Sequence, residues 1–144
     1  MRADLSAEAI RLGRLLVELL PEPEAEGLLA LMLLQDSRRA ARTSPAGDIV
    51  LLDEQDRSLW NRESIAEGLT LARRALASRR FGPSTLQAAI AAVHAEAQTP
   101  DATDWARILA LYELLEREVV PMFYEQNGEA SPLISPERAG ARAR

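Results

Sequence analysis

No cysteine occurs among the 144 residues, so disulfide frameworks, thiolate metal sites and cysteine nucleophiles are excluded at once. Histidine occurs once, as His94, which rules out a multi-histidine zinc or iron centre. Lysine is missing too: all 17 basic side chains are arginine. With the abundance of alanine and leucine, this points to the codon usage of a GC-rich bacterial genome and not to a chemical requirement. The net charge is −5, against broad non-specific nucleic-acid binding, which needs a concentrated positive surface. No apolar run reaches the roughly 18–20 residues of a membrane span. The longest covers residues 28–34 and reads as a buried helix segment. The first residues turn amphipathic too early for a secretory signal, so a cytoplasmic protein is expected. Glycine-rich phosphate loops, serine elbows and dinucleotide fingerprints are absent as well, and no cofactor is expected.

What is present is helical periodicity. Leu5, Ala9, Leu12, Leu16 and Leu19 recur at spacings of four, three, four and three, one face of a first helix. Pro21 and Pro23 stop it, because proline lacks the amide donor and disfavours a helical residue before it. A second helix is predicted over 24–41, apolar nearly all round at 28–34 and therefore in need of cover on more than one side. The short break favours an antiparallel hairpin. Turn residues at 43–48 precede the apolar run 49–52, read as an extended segment or minimal β element near 43–52. A polar loop or helical turn over 53–60 ends in Trp60.

The third helix, over 62–78, carries Ile65, Leu69, Ala72 and Leu76 on one face. Gly82-Pro83 suits a helix end followed by a helix start. The fourth helix, over 84–97, aligns Leu86, Ile90, Val93 and Ala97, with alanines that allow close packing. A residue among 101–104 is expected to cap the fifth helix, where Trp105, Ile108, Tyr112, Leu115 and Val119 form the stripe. Pro121 is expected to end it. The pattern describes an all-α domain over 1–120, five main helices in hairpins packed as an α-α array, and a disordered tail over 121–144. The helix pairs suggest a tetratricopeptide-like array, although no repeat of about 34 residues carries that family's aromatic signature.

Residues that could carry chemistry read mostly as scaffold. The 53–60 segment offers Asp53, Asp56, Arg57 and Trp60 either as a partner-binding or intramolecular docking loop, or as a helix cap and an aromatic anchor. Its acids do not have the spacing of a calcium loop. His94 and Glu96 have the histidine-x-glutamate spacing of zinc deaminases, but without paired cysteines there is no metal cage. Arg38, Arg39 and Arg42 follow a helix end, as do Arg73, Arg74, Arg79 and Arg80. There they either answer the helix dipole or contact an acidic partner. Glu113, Glu116 and Glu118 read as solvated faces and not as an acid/base pair. The chain is expected not to be an enzyme.

The block Leu51-Leu52-Asp53-Glu54-Gln55-Asp56-Arg57-Ser58-Leu59-Trp60-Asn61-Arg62, with residues 65–68 after it, resembles the C-terminal helical extension of extracytoplasmic-function sigma factors. Segments 3–16, 27–39, 86–97 and 103–115 extend the resemblance, in the family's order, over about residues 2–115. It implies a regulatory domain in transcription initiation, acting through contacts with RNA polymerase or sigma-factor regions. The family's promoter-reading helices lie upstream of this domain, so direct nucleic-acid binding by this chain is not expected. A helical array cut short would expose apolar faces and favour self-association. Beyond Leu115 the match stops, and residues 111–124 are similar to a short stretch of bacterial glucan phosphorylases. Two alternatives therefore stay open: a fragment of a carbohydrate-active enzyme, or a truncated product without independent function.

Overall fold

The computed structural model describes residues 3–127. Five α-helices carry the fold: α1 (Ala3–Leu19), α2 (Pro23–Asp36), α3 (Arg62–Ala77), α4 (Pro83–Glu96) and α5 (Trp105–Asn127). Among the described residues there is no strand, and the fold class is all-α as the periodicity predicts. Between α2 and α3 the chain makes three single 3-10 turns and one isolated antiparallel bridge, Thr43 to Ile49. That bridge is the whole of the β character expected near 43–52. Gly47, at φ 88°, supplies the left-handed residue its tight turn needs.

α2 is the central helix, packed against α1, α3 and α4, while α5 packs on α4. This cover answers the all-round apolar sequence of α2. Leu29, Ala30 and Leu33 meet Leu71, Ala72 and Ala88 in one cluster, and Leu34 joins Ala41, Trp60, Ile65 and Ala92 in a second. A third cluster joins Leu86, Ala89, Ile90 and Val93 of α4 to Ile108 and Leu111 of α5. α2 stops earlier than the pattern predicts. Ser37 turns its hydroxyl onto the Leu34 carbonyl at 2.6 Å, and residues 39–41 tighten into a 3-10 turn. A serine that bonds a preceding carbonyl competes with helix propagation in this way.

The start of α4 is capped from another helix. Gly82, its N-cap, has no side chain to offer, and Glu24 of α2 takes that place. The Glu24 carboxylate accepts from the amides of Gly82 (3.2 Å), Ser84 (2.8 Å) and Thr85 (2.9 Å), and from the Thr85 hydroxyl (2.8 Å). These amides are donors that a helix start leaves without intrahelical partners, and an acid there also meets the helix dipole favourably. At α3 the cap is Asn61, whose Oδ1 accepts from the Ser64 amide at 3.1 Å. Asp104 does the same for α5, with Arg107 at 3.1 Å.

Two expected faces are corrected. On α1 the leucine stripe faces solvent: Leu5 is 59% exposed, Leu12 52% and Leu19 83%. The packed side is Ser6, Ile10, Gly13 and Val17. Gly13 marks the close contact: a Cβ there would meet the flexible end of Met32 and approach Leu29 to 3.3 Å. Small residues let α1 lie close on α2, which the larger leucines would prevent. On α5, Trp105 and Tyr112 point outward, and Leu111 with Ile108 makes the contact to α4. Among the described residues α5 packs chiefly on α4, and much of its broad apolar surface stays exposed. The helix also runs through Pro121 to Asn127. Proline removes the bond to the carbonyl four residues back, here that of Arg117, a residue exposed to solvent. The remainder of the expected tail, 128–144, and the side chain of Val119 lie outside the described residues.

Candidate functional site

The 53–60 segment docks on its own domain. Trp60 is 3% exposed and packs against Leu34, Ala41 and Ile65, with its indole N–H donating to Gln55 Oε1 at 3.2 Å. The Arg57 guanidinium lies 4.4 Å from the centre of the Trp60 ring, a cation–π stack. Its Nη1 donates to the carbonyls of His94 (3.1 Å) and Ala97 (2.8 Å), at the C-terminal end of α4. Arg57 and Trp60 are thus committed inside the fold and offer little to a partner. Burial lowers the Arg57 pKa from its ordinary value, opposed by Asp53 and assisted by Arg62.

The three acids of the segment, Asp53, Glu54 and Asp56, remain outside and exposed. Asp56 accepts from the Ser58 amide (3.0 Å) and hydroxyl (2.6 Å), so it caps a 3-10 turn and not the helix that follows. Those two bonds lower its pKa. The N-terminus of α3 belongs to Asn61 instead.

The three arginines after α2 differ from one another. Arg39 is exposed and pairs with Asp36 at 3.5 Å. Arg42 reaches back to the Gln35 carbonyl and, at 3.2 Å, to its side-chain oxygen, closing the end of α2. Arg38 is half-buried, and burial followed by repulsion from Arg42 and Arg57 lowers its pKa. On the other helix ends, Arg73 pairs with Glu96 at 3.0 Å, Arg74 with Glu26 at 3.1 Å and Arg80 with Glu22 at 3.6 Å. Arg79 takes the left-handed position after α3, at φ 57°.

His94 is half-buried and meets Trp105 edge-on, with centroids 5.6 Å apart. Burial lowers its pKa most, then Arg38 and Arg57, with Asp53 acting the other way. It lines a cleft of about 310 Å³ between α2, α4 and α5, together with Arg38, Gln87 and Tyr112. A second groove, of about 560 Å³, runs between α1, α2 and α3 and is crossed by the Arg14–Glu67 ion pair. Among the described residues no group of three or more acids or histidines could hold a metal ion. None of the described helices is long and apolar enough to cross a membrane.

The sequence singled out the 53–60 loop, and the structure turns its Arg57 and Trp60 inward while Asp53, Glu54, Asp56, Ser58 and Leu59 stay exposed. Among the features that escaped the sequence reading are Glu24 as a cap supplied across helices and the outward leucine face of α1. The first had a faint signal, a glycine N-cap with no capping side chain of its own. The second had none, since an apolar stripe does not say which partner covers it.

Residues 1–76 match a family described as a family of unknown function, DUF6596. The chain is also 55% identical over 116 residues to an uncharacterized protein of Rhizobium meliloti (strain 1021). That alignment covers 80% of this chain and 27% of the relative, so the chain spans about a quarter of the relative's length. No solved structure matches.

Proposed function

We propose, from the premise that this chain belongs to the family of unknown function DUF6596, that it is a non-catalytic interaction domain of a cytoplasmic sigma factor of the extracytoplasmic-function type. It acts in transcription initiation by docking the sigma regions of the longer protein, without reading promoter DNA itself. The observation that carries this reading is the leucine face of α1, where Leu5, Leu12, Leu16 and Leu19 stand in solvent on one side of a helix whose other side is packed. A folded domain seldom leaves such a contiguous apolar strip uncovered unless a partner uses it.

Two further facts support the choice of occupant. The relative is several times longer than the stretch it shares with this chain, so chain outside that stretch is available to cover α1. The ordered blocks that resemble the sigma-factor extension, above all residues 51–62, support sigma regions as the class of that chain. Docking of this kind draws on interface free energy and needs no acid, base or metal.

The test uses the purified 144-residue chain, a purified sigma protein of this type truncated before its own extension, and purified core RNA polymerase. A stoichiometric complex with the sigma protein by size-exclusion chromatography with light scattering is expected. Leu12→Glu with Leu16→Glu should abolish it while circular dichroism stays unchanged. No complex, or a complex indifferent to those substitutions, would sink the proposal. A tight homodimer broken by the same changes would also overturn it, by giving the face to a second copy. Binding to polymerase alone would overturn the choice of the sigma regions as occupant.

A further inference from the structure

Four arginines stand beyond the C-terminal ends of α2 and α4, namely Arg38, Arg39, Arg42 and Arg57, and three are occupied. Arg42 closes α2 through Gln35, and Arg57 closes α4 through His94 and Ala97. The Arg38 guanidinium has no hydrogen bond and no ion pair among the described residues. Its near neighbour Asp36 pairs with Arg39 instead. Arg38 is nonetheless half-buried, and the charges that bear on it most are those of Arg42 and Arg57. A cation drawn partly out of water, repelled by two more and left without a counter-ion, is held at a cost that a bound anion would relieve.

The surroundings suit such a ligand. Arg38 lines the cleft of about 310 Å³ between α2, α4 and α5, at the small end of ligand-site volumes (about 300–1,000 Å³). Gln87 and the Tyr112 hydroxyl line the same cleft and donate to nothing else among the described residues. The Gln35 side chain is engaged only through its oxygen, by Arg42, so its amide N–H groups are also free. Leu31 and Ile90 supply apolar wall. The acid that acts on this cluster of cations, Asp53, is exposed and acts on Arg57 and His94.

We propose that this cleft binds a small organic anion, a carboxylate or phosphate monoester on a compact apolar body, with Arg38 as its counter-ion. The neutral donors orient the head group, and the apolar wall takes the body. This site is separate from the α1 face, so its test and that of the docking proposal fail independently.

The chain is titrated with benzoate, phenyl phosphate and inorganic phosphate while nuclear magnetic resonance follows the Arg38 Nε–H and the rings of Tyr112 and His94. Saturable shifts with benzoate or phenyl phosphate are expected, and the tighter of the two identifies the head group. Arg38→Gln should weaken binding by roughly tenfold or more, whereas Arg39→Gln should leave it unchanged. Gln87→Glu puts a carboxylate into the cleft from the exposed side of α4 and should exclude both probes without disturbing the fold, which keeps the test open should Arg38→Gln not fold. Shifts that never saturate, equal binding in the Arg38 and Arg39 variants, or undiminished binding by Gln87→Glu would each overturn the site. Inorganic phosphate binding as tightly as phenyl phosphate would overturn the apolar part of it.

Discussion

α1 and α2 are both leucine-rich helices of one hairpin, yet they use their leucines in opposite ways. In α2, Leu29, Leu33 and Leu34 are buried between three other helices. In α1 the leucines face out, and the contact is made by a serine, an isoleucine, a glycine and a valine. An apolar stripe marks a surface that wants cover, but close approach of two helix axes is set by small residues. Where the two demands fall on opposite sides of one helix, the hairpin uses the small side and leaves the large one for something else.

The sharpest way to break this contrast is to cut a leucine from each helix. Leu33→Ala should cost about 3 kcal/mol, the usual loss for emptying a packed core position. Leu12→Gln should stay within about 0.5 kcal/mol, as an exposed position does. Urea unfolding followed by circular dichroism measures both. An equal loss at Leu12 would mean that the α1 face is already covered in solution.

The glycines give the next largest difference. A Cβ on Gly27 would sit 2.7 Å from the Thr85 Cα, so backbone would have to move, and Gly27→Ala should cost about 2 kcal/mol. On Gly13 the obstacle is the terminal methyl of Met32, a flexible end, and the gain in helix propensity is about 1 kcal/mol. Gly13→Ala should therefore be close to neutral in thermal melts. A strongly destabilising Gly13→Ala would show that α1 is held as tightly as α2.

How much of this was legible beforehand differs along the chain. Helices α3 and α4 follow their stripes closely: Leu86, Ile90, Val93 and Ala97 are all buried as their spacing predicts. Both helices are narrow in choice, with few large side chains outside the stripe. α1 and α5 are apolar over a wider arc, so several stripes fit each, and the true one depends on a neighbour the sequence does not identify. The 53–60 loop was recognisable as a special segment from its acids and its tryptophan. That Arg57 would cross to the end of α4 was not, because the residues it joins, 57 and 97, meet only through the tertiary fold.

The smallest contrast concerns the polar ties of the two helices. Glu24→Ala removes an acceptor of four bonds at the start of α4 and should cost about 1–2 kcal/mol. Glu67→Gln cuts the exposed tie from Arg14 of α1 to α3 and should cost less than about 1 kcal/mol. The Arg14 hydrogen bond lowers the Glu67 pKa from 4.5. A carboxyl depressed in the folded state stabilises fully above its unfolded value and loses that contribution as pH falls through the folded one. The difference in melting temperature between wild type and Glu67→Gln should thus be present at neutral pH and vanish in acid. A difference that grows on acidification would refute the assignment.

The burial of Trp60 and the exposure of Trp105 give the protein two optical reporters with separate meanings. Trp60, sealed beneath Arg57, should emit at short wavelength only while the core is intact. Trp105 should emit from a wet surface, since it is exposed and edge-on to His94, and a protonated imidazole quenches an indole beside it. Since the folded protein resists charging His94, that dimming sets in below the ordinary imidazole range. One fluorescence spectrum thus separates core melting from events at the mouth of the Arg38 cleft, with no label attached.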